Sequence, residues 1–209
     1  MKLRMLFSML WVACSIGASA QVVLLKKLDR FTNGLSSEYG TINATRKTEL
    51  NTFADKIVDE KLSSGHASVV FASNDNSSLS QMSQAWMQVA LDKFGIRNVT
   101  VVSSGVTSNE ISRETISALK VVGFNINANS TAFVKSSYML RYSWEGNQLL
   151  MFSKKSDNYQ IPTESVVVTN VDDTVVNQSN AVSVSKQTAI EMMYVADRIH
   201  SSHLLSLQK

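Results

Sequence analysis

Val69-Val70-Phe71-Ala72-Ser73-Asn74-Asp75-Asn76-Ser77-Ser78-Leu79-Ser80-Gln81-Met82 is the stretch whose reading decides the fold. Ala67 to Ala72 is apolar on both faces, as a central strand of a parallel sheet requires. It runs into a polar loop that leaves at Ser80, positioned as an N-cap, into a helical pattern. That helix would bury Met82, Trp86, Val89, Ala90 and Phe94, and Gly95 closes it. A loop held between a strand end and a helix N-terminus aims backbone N–H groups at one point, a geometry suited to an anion.

Working outward, Leu50, Phe53, Ala54, Ile57, Val58 and Leu62 recur at helical spacing after Asn43 and predict one buried stripe, ended by Gly65. Residues 21–40 form a lead-in of short helix or irregular chain. Downstream, Val99 to Val102 reads as a second strand and Ser103-Ser104-Gly105 as a turn. Asn109 or Ser112 can cap a helix carrying Ile111, Ile116, Leu119 and Val122, which Gly123 terminates. Tyr138 to Ser143 and Gln148 to Phe152 flank Trp144-Glu145-Gly146-Asn147 as a hairpin. Val166-Val167-Val168 is a buried strand, and a last helix shows Ile190, Met193, Tyr194 and Ile199. Strands alternating with helices predict an α/β fold in three layers: a central, mostly parallel sheet of about four strands, helices on both faces, and a small hairpin insertion.

Residues 1–20 read as a secretory signal peptide. Lys2 and Arg4 precede the apolar run Met5 to Ala13, and Ala18-Ser19-Ala20 is a small-x-small cleavage site. Acylation at Cys14 is the lipoprotein alternative. The expected localisation is secreted, in the periplasm, with no stable membrane span once the leader is removed. The domain proper spans 41–209. The full chain has 20 Lys+Arg against 17 Asp+Glu, and loss of Lys2 and Arg4 leaves the two nearly balanced. With no basic cluster, nucleic acid is not an expected partner. Cys14 is the one cysteine of the chain, so the mature protein has no thiolate nucleophile, disulfide relay or thiolate metal site. No GxxxxGK[ST], GxGxxG or HExxH occurs, and neither metal nor cofactor is expected. Met82, Met87, Met192 and Met193 with Trp86 read as core filling. Lys154-Lys155 and Lys26-Lys27 read as solvated faces.

The strand–loop–helix, the Val99 strand, Ser103-Ser104-Gly105, the Ile111 to Val122 helix and Gly123-Phe124-Asn125-Ile126 resemble the low-molecular-weight protein tyrosine phosphatase and thioredoxin-coupled arsenate reductase family. The family signature is Cys-x5-Arg-Ser after a strand; here it reads Ser73-Asn74-Asp75-Asn76-Ser77-Ser78-Leu79-Ser80. Ser83, Gln84, Trp86 and Gly95-Ile96, together with Thr188 to Val195, are similar to one bacterial branch of the reductases. The resemblance spans about residues 42 to 200.

The resemblance implies a role for each position. The nucleophilic Cys falls on Ser73, whose hydroxyl stays protonated at neutral pH and needs a base. His66 lies at the far end of the strand, about 23 Å away at ~3.3 Å per residue, and His200 and His203 fall in a polar tail. The phosphate-clamping Arg falls on Leu79, which has neither charge nor donors. Asp75 puts a carboxylate inside the loop and opposes a bound anion. The resolving cysteines of the reductases fall on Asn170 and Asn177, both amides, so the resemblance implies no relay. Asp172 and Asp173 lack the Asp-Pro pattern of the phosphatase general acid and read as turn or cap residues. Asn76, Ser77 and Ser80 keep the loop's scaffold.

The expected function is a catalytically inactive pseudoenzyme that binds an oxyanion or an unidentified protein partner through the loop remnant Ser73, Asn74, Asp75, Asn76, Ser77, Ser78 and Ser80. Asp75 is the residue expected to occupy the place of the substrate. The alternative is a residual phosphatase, arsenate-reductase-type or ester hydrolase activity using Ser73 with Asp75 or Asp172.

Overall fold

The computed structural model describes residues 22–129, 136–157, 164 and 166–206, the side chains of 203–206 excepted. Residues 1–20, expected to form a signal peptide, lie outside it. The first helix, α1 (Lys26–Asn33), and a 3-10 turn over Leu35–Thr41 form the lead-in. Helix α2 (Ala44–Ser64) starts where Asn43 accepts a hydrogen bond from the Arg46 N–H, and ends at Gly65 in the left-handed conformation (φ 81°). Leu50, Ala54 and Ile57 are buried as their spacing requires. Leu62, expected on the same stripe, is instead 67% exposed, because twelve residues at about 100° each carry it roughly 120° around the helix from Leu50.

Strand β1 (Ala67–Ser73) pairs in parallel with β2 (Val99–Gly105) on one side and β6 (Val166–Asn170) on the other. Helices flank this three-stranded parallel sheet in a three-layer α/β arrangement. Helix α3 (Leu79–Lys93) packs on β1 and β2, and α2 on β1 and β6. Helix α4 (Arg113–Val122) is capped by Ser112, which accepts from the Thr115 N–H. Helix α5 (Ala181–Ser206) lies against α2, α3 and α4. A second, antiparallel sheet joins β3 (Asn125–Ala128), β4 (Tyr138–Arg141) and β5 (Gln148–Met151). Its β4–β5 pair is the expected hairpin; β3 was not foreseen.

Two boundaries differ from the sequence reading. Ser103-Ser104-Gly105 is not a turn: these residues continue β2 and pair with Phe71, Ala72 and Ser73. Helix α5 starts at Ala181, nine residues before Ile190, the first apolar residue of the expected last helix. The core centres on Trp86, which is fully buried between Phe31 (5.5 Å between ring centres) and Phe124 (4.9 Å), with its indole N–H donating to Ser185 Oγ. A buried Tyr or Trp polar atom needs such a partner.

Candidate functional site

The loop after β1 is anchored along its β2 side. Ser73 pairs with Gly105, and the backbone N–H groups of Val106, Thr107, Asn109 and Ser112 donate in turn to the carbonyls of Ser73, Asn74, Asp75 and Ser77. The loop lies so close to β2 that a Cβ at Gly105 would sit 2.5 Å from the Thr107 carbonyl oxygen and 2.9 Å from the Asn76 nitrogen. Glycine is required there by space rather than by conformation.

Asn76 is the keystone of the loop. It is fully buried with φ 54°, a left-handed conformation that asparagine tolerates. Its Oδ1 accepts from the Lys154 N–H (2.9 Å) and from Gln81 Nε2 (2.8 Å), and its Nδ2 donates to Ser80 Oγ (3.2 Å). Its own N–H donates to Ser73 Oγ at 2.9 Å.

The centre of the loop holds a carboxylate from another part of the chain. Asp173 stands on the short 3-10 turn Asp173–Val175 between β6 and α5 and is buried. Its Oδ2 accepts from Ser73 Oγ at 2.7 Å, from the Ser77 N–H at 2.9 Å and from Ser80 Oγ at 3.1 Å. Its Oδ1 accepts from the Ser80 N–H at 2.8 Å. A planar anion gathering hydroxyl and backbone donors at a helix start is the arrangement expected of a bound oxyanion. Asp172, beside it, turns the chain as expected: its Oδ1 accepts from the Thr174 N–H and hydroxyl.

This corrects two expectations. Asp75 does not take the place of the substrate. Its Oδ1 accepts from the Ser77 hydroxyl (2.8 Å) and N–H (3.2 Å), and its Oδ2 from Asn109 Nδ2 (3.0 Å), at the β2 side of the loop. Asp173 is more than a turn residue, and its position also explains why Ser80 is not the N-cap. Helix α3 begins at Leu79 after Ser78, which makes no side-chain cap bond. Ser80 lies inside the first turn, and its N–H is capped by Asp173 from 93 residues away. Burial pushes the Asp75 carboxyl up, but the hydrogen bonds donated by Asn109 and Ser77 outweigh it and hold Asp75 below its ordinary value.

The remaining expected residues are dispersed. Asn74 is exposed and offers its carbonyl to Thr107. Ser78 Oγ donates to Ser112 Oγ, tying the loop to the α4 cap. Leu79 and Asn170 line a cavity beside the loop. Asn177 organises the turn before α5, accepting from the Ser179 N–H and hydroxyl. His66 is exposed at the start of β1, and the His200 ring packs 5.9 Å from Phe94 rather than standing in solvent. Among the described residues, no group of three His, Cys, Asp or Glu converges as metal ligands, and no helix is long and apolar enough to cross a membrane.

One residue went unread in the sequence. Lys154, expected on a solvated face, is 3% exposed. Its Nζ lies 3.1 Å from the Phe152 carbonyl oxygen, 3.4 Å from Ser103 Oγ and 3.5 Å from Gln84 Oε1, and 4.6 Å from the centre of the Phe152 ring. Burial pulls its pKa from the ordinary 10.5 down to about 8. Its backbone holds Asn76, so the segment that buries the lysine also fixes the loop.

No protein-family model matches the chain, and no curated protein matches it.

Proposed function

We propose that this protein is a non-catalytic, secreted counterpart of the low-molecular-weight phosphatases and arsenate reductases, in which the anion loop is filled by the chain's own Asp173 and the loop face acts in binding rather than turnover. The observation that carries the reading is the Asp173 carboxylate, whose two oxygens accept from Ser73, Ser77 and Ser80. The loop donors that would hold a substrate oxyanion are already satisfied. The position of the attacking thiolate is a serine, and that of the clamping guanidinium is Leu79. Export rests on Lys2, Arg4, the apolar run Met5 to Ala13 and Ala18-Ser19-Ala20.

A second reading is an ester hydrolase, favoured by the 2.7 Å contact of Ser73 Oγ with Asp173 Oδ2. Asp173 would accept the Ser73 proton as a general base. The difficulty is that the same carboxylate occupies the Ser77 and Ser80 N–H groups that would have to stabilise the oxyanion.

Hydrolysis of an aryl phosphate and of an aryl ester, and reduction of arsenate, separate the two readings when measured on the full chain and on Ser73→Ala. The expected result is no turnover in either protein. Ester hydrolysis abolished by Ser73→Ala would establish the second reading, and phosphate hydrolysis abolished by it would overturn the first.

A further inference from the structure

The cavity beside the loop, about 310 Å³, has a composition that the loop does not account for. It lies between α2, α5 and the end of β6, and Leu79 and Phe71 reach it from the loop's own flanks. Leu79, at the position where the family resemblance would put a guanidinium, becomes part of an apolar floor with Leu50, Phe53 and Phe71. Phe53 and Phe71 meet edge to face with ring centres 6.1 Å apart. The volume is at the lower end of the range for small-molecule sites, roughly 300–1,000 Å³.

The rim carries one cation and two anions: Arg46, Glu49 and Glu191. The guanidinium is turned onto the carboxylates. Its Nε and Nη2 donate to Glu191 Oε2 at 3.1 and 2.7 Å, and its Nη1 to Glu49 Oε2 at 2.8 Å. The Arg46 donors are therefore engaged, and the three side chains together carry one net negative charge. The charge balance favours a cation. An independent feature points the same way. Ser83 is 3% exposed, lines the cavity, and its hydroxyl makes no hydrogen bond within the described residues. Its oxygen is open to the cavity, since among the described residues the one fully buried side-chain polar atom without a partner is Gln81 Oε1. Here the partner it can meet is whatever occupies the cavity.

We infer that this cavity is a binding site for a small primary ammonium carrying an aromatic body. The ring would lie against the Phe53–Phe71 pair. The ammonium has three donors and no acceptor, matching the carboxylate of Glu49, the hydroxyl of Ser83 and the amide oxygen of Asn170.

The test uses two ligands of similar shape and opposite charge, phenethylamine and 3-phenylpropionate, titrated by calorimetry and by ligand-observed NMR into the full chain. Phenethylamine should bind saturably at one site, at least tenfold more tightly than 3-phenylpropionate. Ser83→Leu, which fills the cavity, should abolish binding while circular dichroism stays unchanged. Glu49→Gln, at a carboxylate 58% exposed, should weaken the amine severalfold and narrow the discrimination. Absence of amine binding to the wild type, equal binding of the two ligands, or amine binding indifferent to Glu49→Gln would overturn the assignment.

Discussion

Ser73 and Asp173 are 100 residues apart in the chain and 2.7 Å apart through Oγ and Oδ2. The first ends β1 and the second opens the turn after β6, two strands paired side by side in parallel. Parallel pairing brings both strand ends to the same edge of the sheet, where loops and helix starts gather. A carboxylate on one of them can then reach into the loop of the other. The contact gives α3 a cap at Ser80 and gives the loop an internal anion.

On the proposed reading, a cysteine in place of Ser73 should not by itself bring phosphatase chemistry. Ser73→Cys replaces the hydroxyl with a thiol, but Asp173 still fills the loop and Leu79 still supplies no guanidinium. Aryl phosphate hydrolysis by Ser73→Cys should remain at background in a discontinuous phosphate-release assay. Turnover well above that of the wild type would show that the loop is open to substrate.

Gly105 sets the depth of the loop. Gly105→Ala forces a methyl against backbone at 2.5 Å from Thr107 and 2.9 Å from Asn76, and backbone cannot step aside as a flexible side chain would. The expected loss of stability is about 1–3 kcal/mol, read as a lower midpoint in urea denaturation. An unchanged midpoint would mean that the loop does not pack on β2.

Asn76 combines conformation and hydrogen bonding, and two variants separate them. Asn76→Gly keeps access to φ 54° but removes the amide and strands the Lys154 N–H. Asn76→Ala loses the amide and adds conformational strain. Each should destabilise by about 2–4 kcal/mol, with Ala the worse of the two. Equal, small effects would remove Asn76 from its central place.

Lys154 makes stability depend on pH in the alkaline range. The unfolded chain holds the lysine proton up to the ordinary 10.5, whereas the folded chain releases it near 8. Between those values the unfolded state binds more protons, so stability rises with pH. The effect is present in full only above 10.5 and is lost as pH falls through 8. The Tyr39 hydroxyl, pushed up to about 12 by burial and by Asp197, and the Tyr142 hydroxyl, pushed up by burial and by Asp92, oppose it above pH 10. The informative window is therefore pH 8 to 10. Lys154→Met should flatten the slope and stabilise the protein at pH 7, by an upper bound of roughly 3 kcal/mol. Its neighbours stay satisfied, since Ser103 Oγ still donates to Gln84 Oε1 and Gln81 Nε2 to the Phe152 carbonyl. A wild-type slope that persists in the variant would place its origin elsewhere.

Much of the scaffold was legible because its signals are local. Asn43 and Gly65 bracket α2, Ser112 and Gly123 bracket α4, and the apolar run into the Ser73 loop announces β1. The loop's content was not legible. Asp173 lies 93 to 100 residues from the groups it caps, and no pattern near Ser80 distinguishes a cap supplied by Ser78 from one supplied by a distant strand end. Asp75 was the nearer carboxylate in sequence, but Asn109 and Ser77 hold it at the β2 side. Ser103 and Ser104 looked like a turn because they are polar, yet pairing with β1 decides their conformation. Lys154 looked solvated beside Lys155, and its burial follows from the chain crossing back onto β2 at Gly105, which composition does not record.

The central claim is that the loop is filled from within, and sulfate binding to Asp173→Ala tests it most directly. Removing the carboxylate vacates the Ser80 N–H and leaves the Ser77 N–H on Asp75 Oδ1 alone, with an initial loss of about 1–3 kcal/mol. Thermal unfolding in sulfate against chloride at matched ionic strength should then raise Tm for Asp173→Ala well beyond the general stabilisation that sulfate gives the wild type, since a ligand stabilises only the state that binds it. A wild type that gains as much from sulfate as the variant, or a variant that gains nothing, would contradict the account.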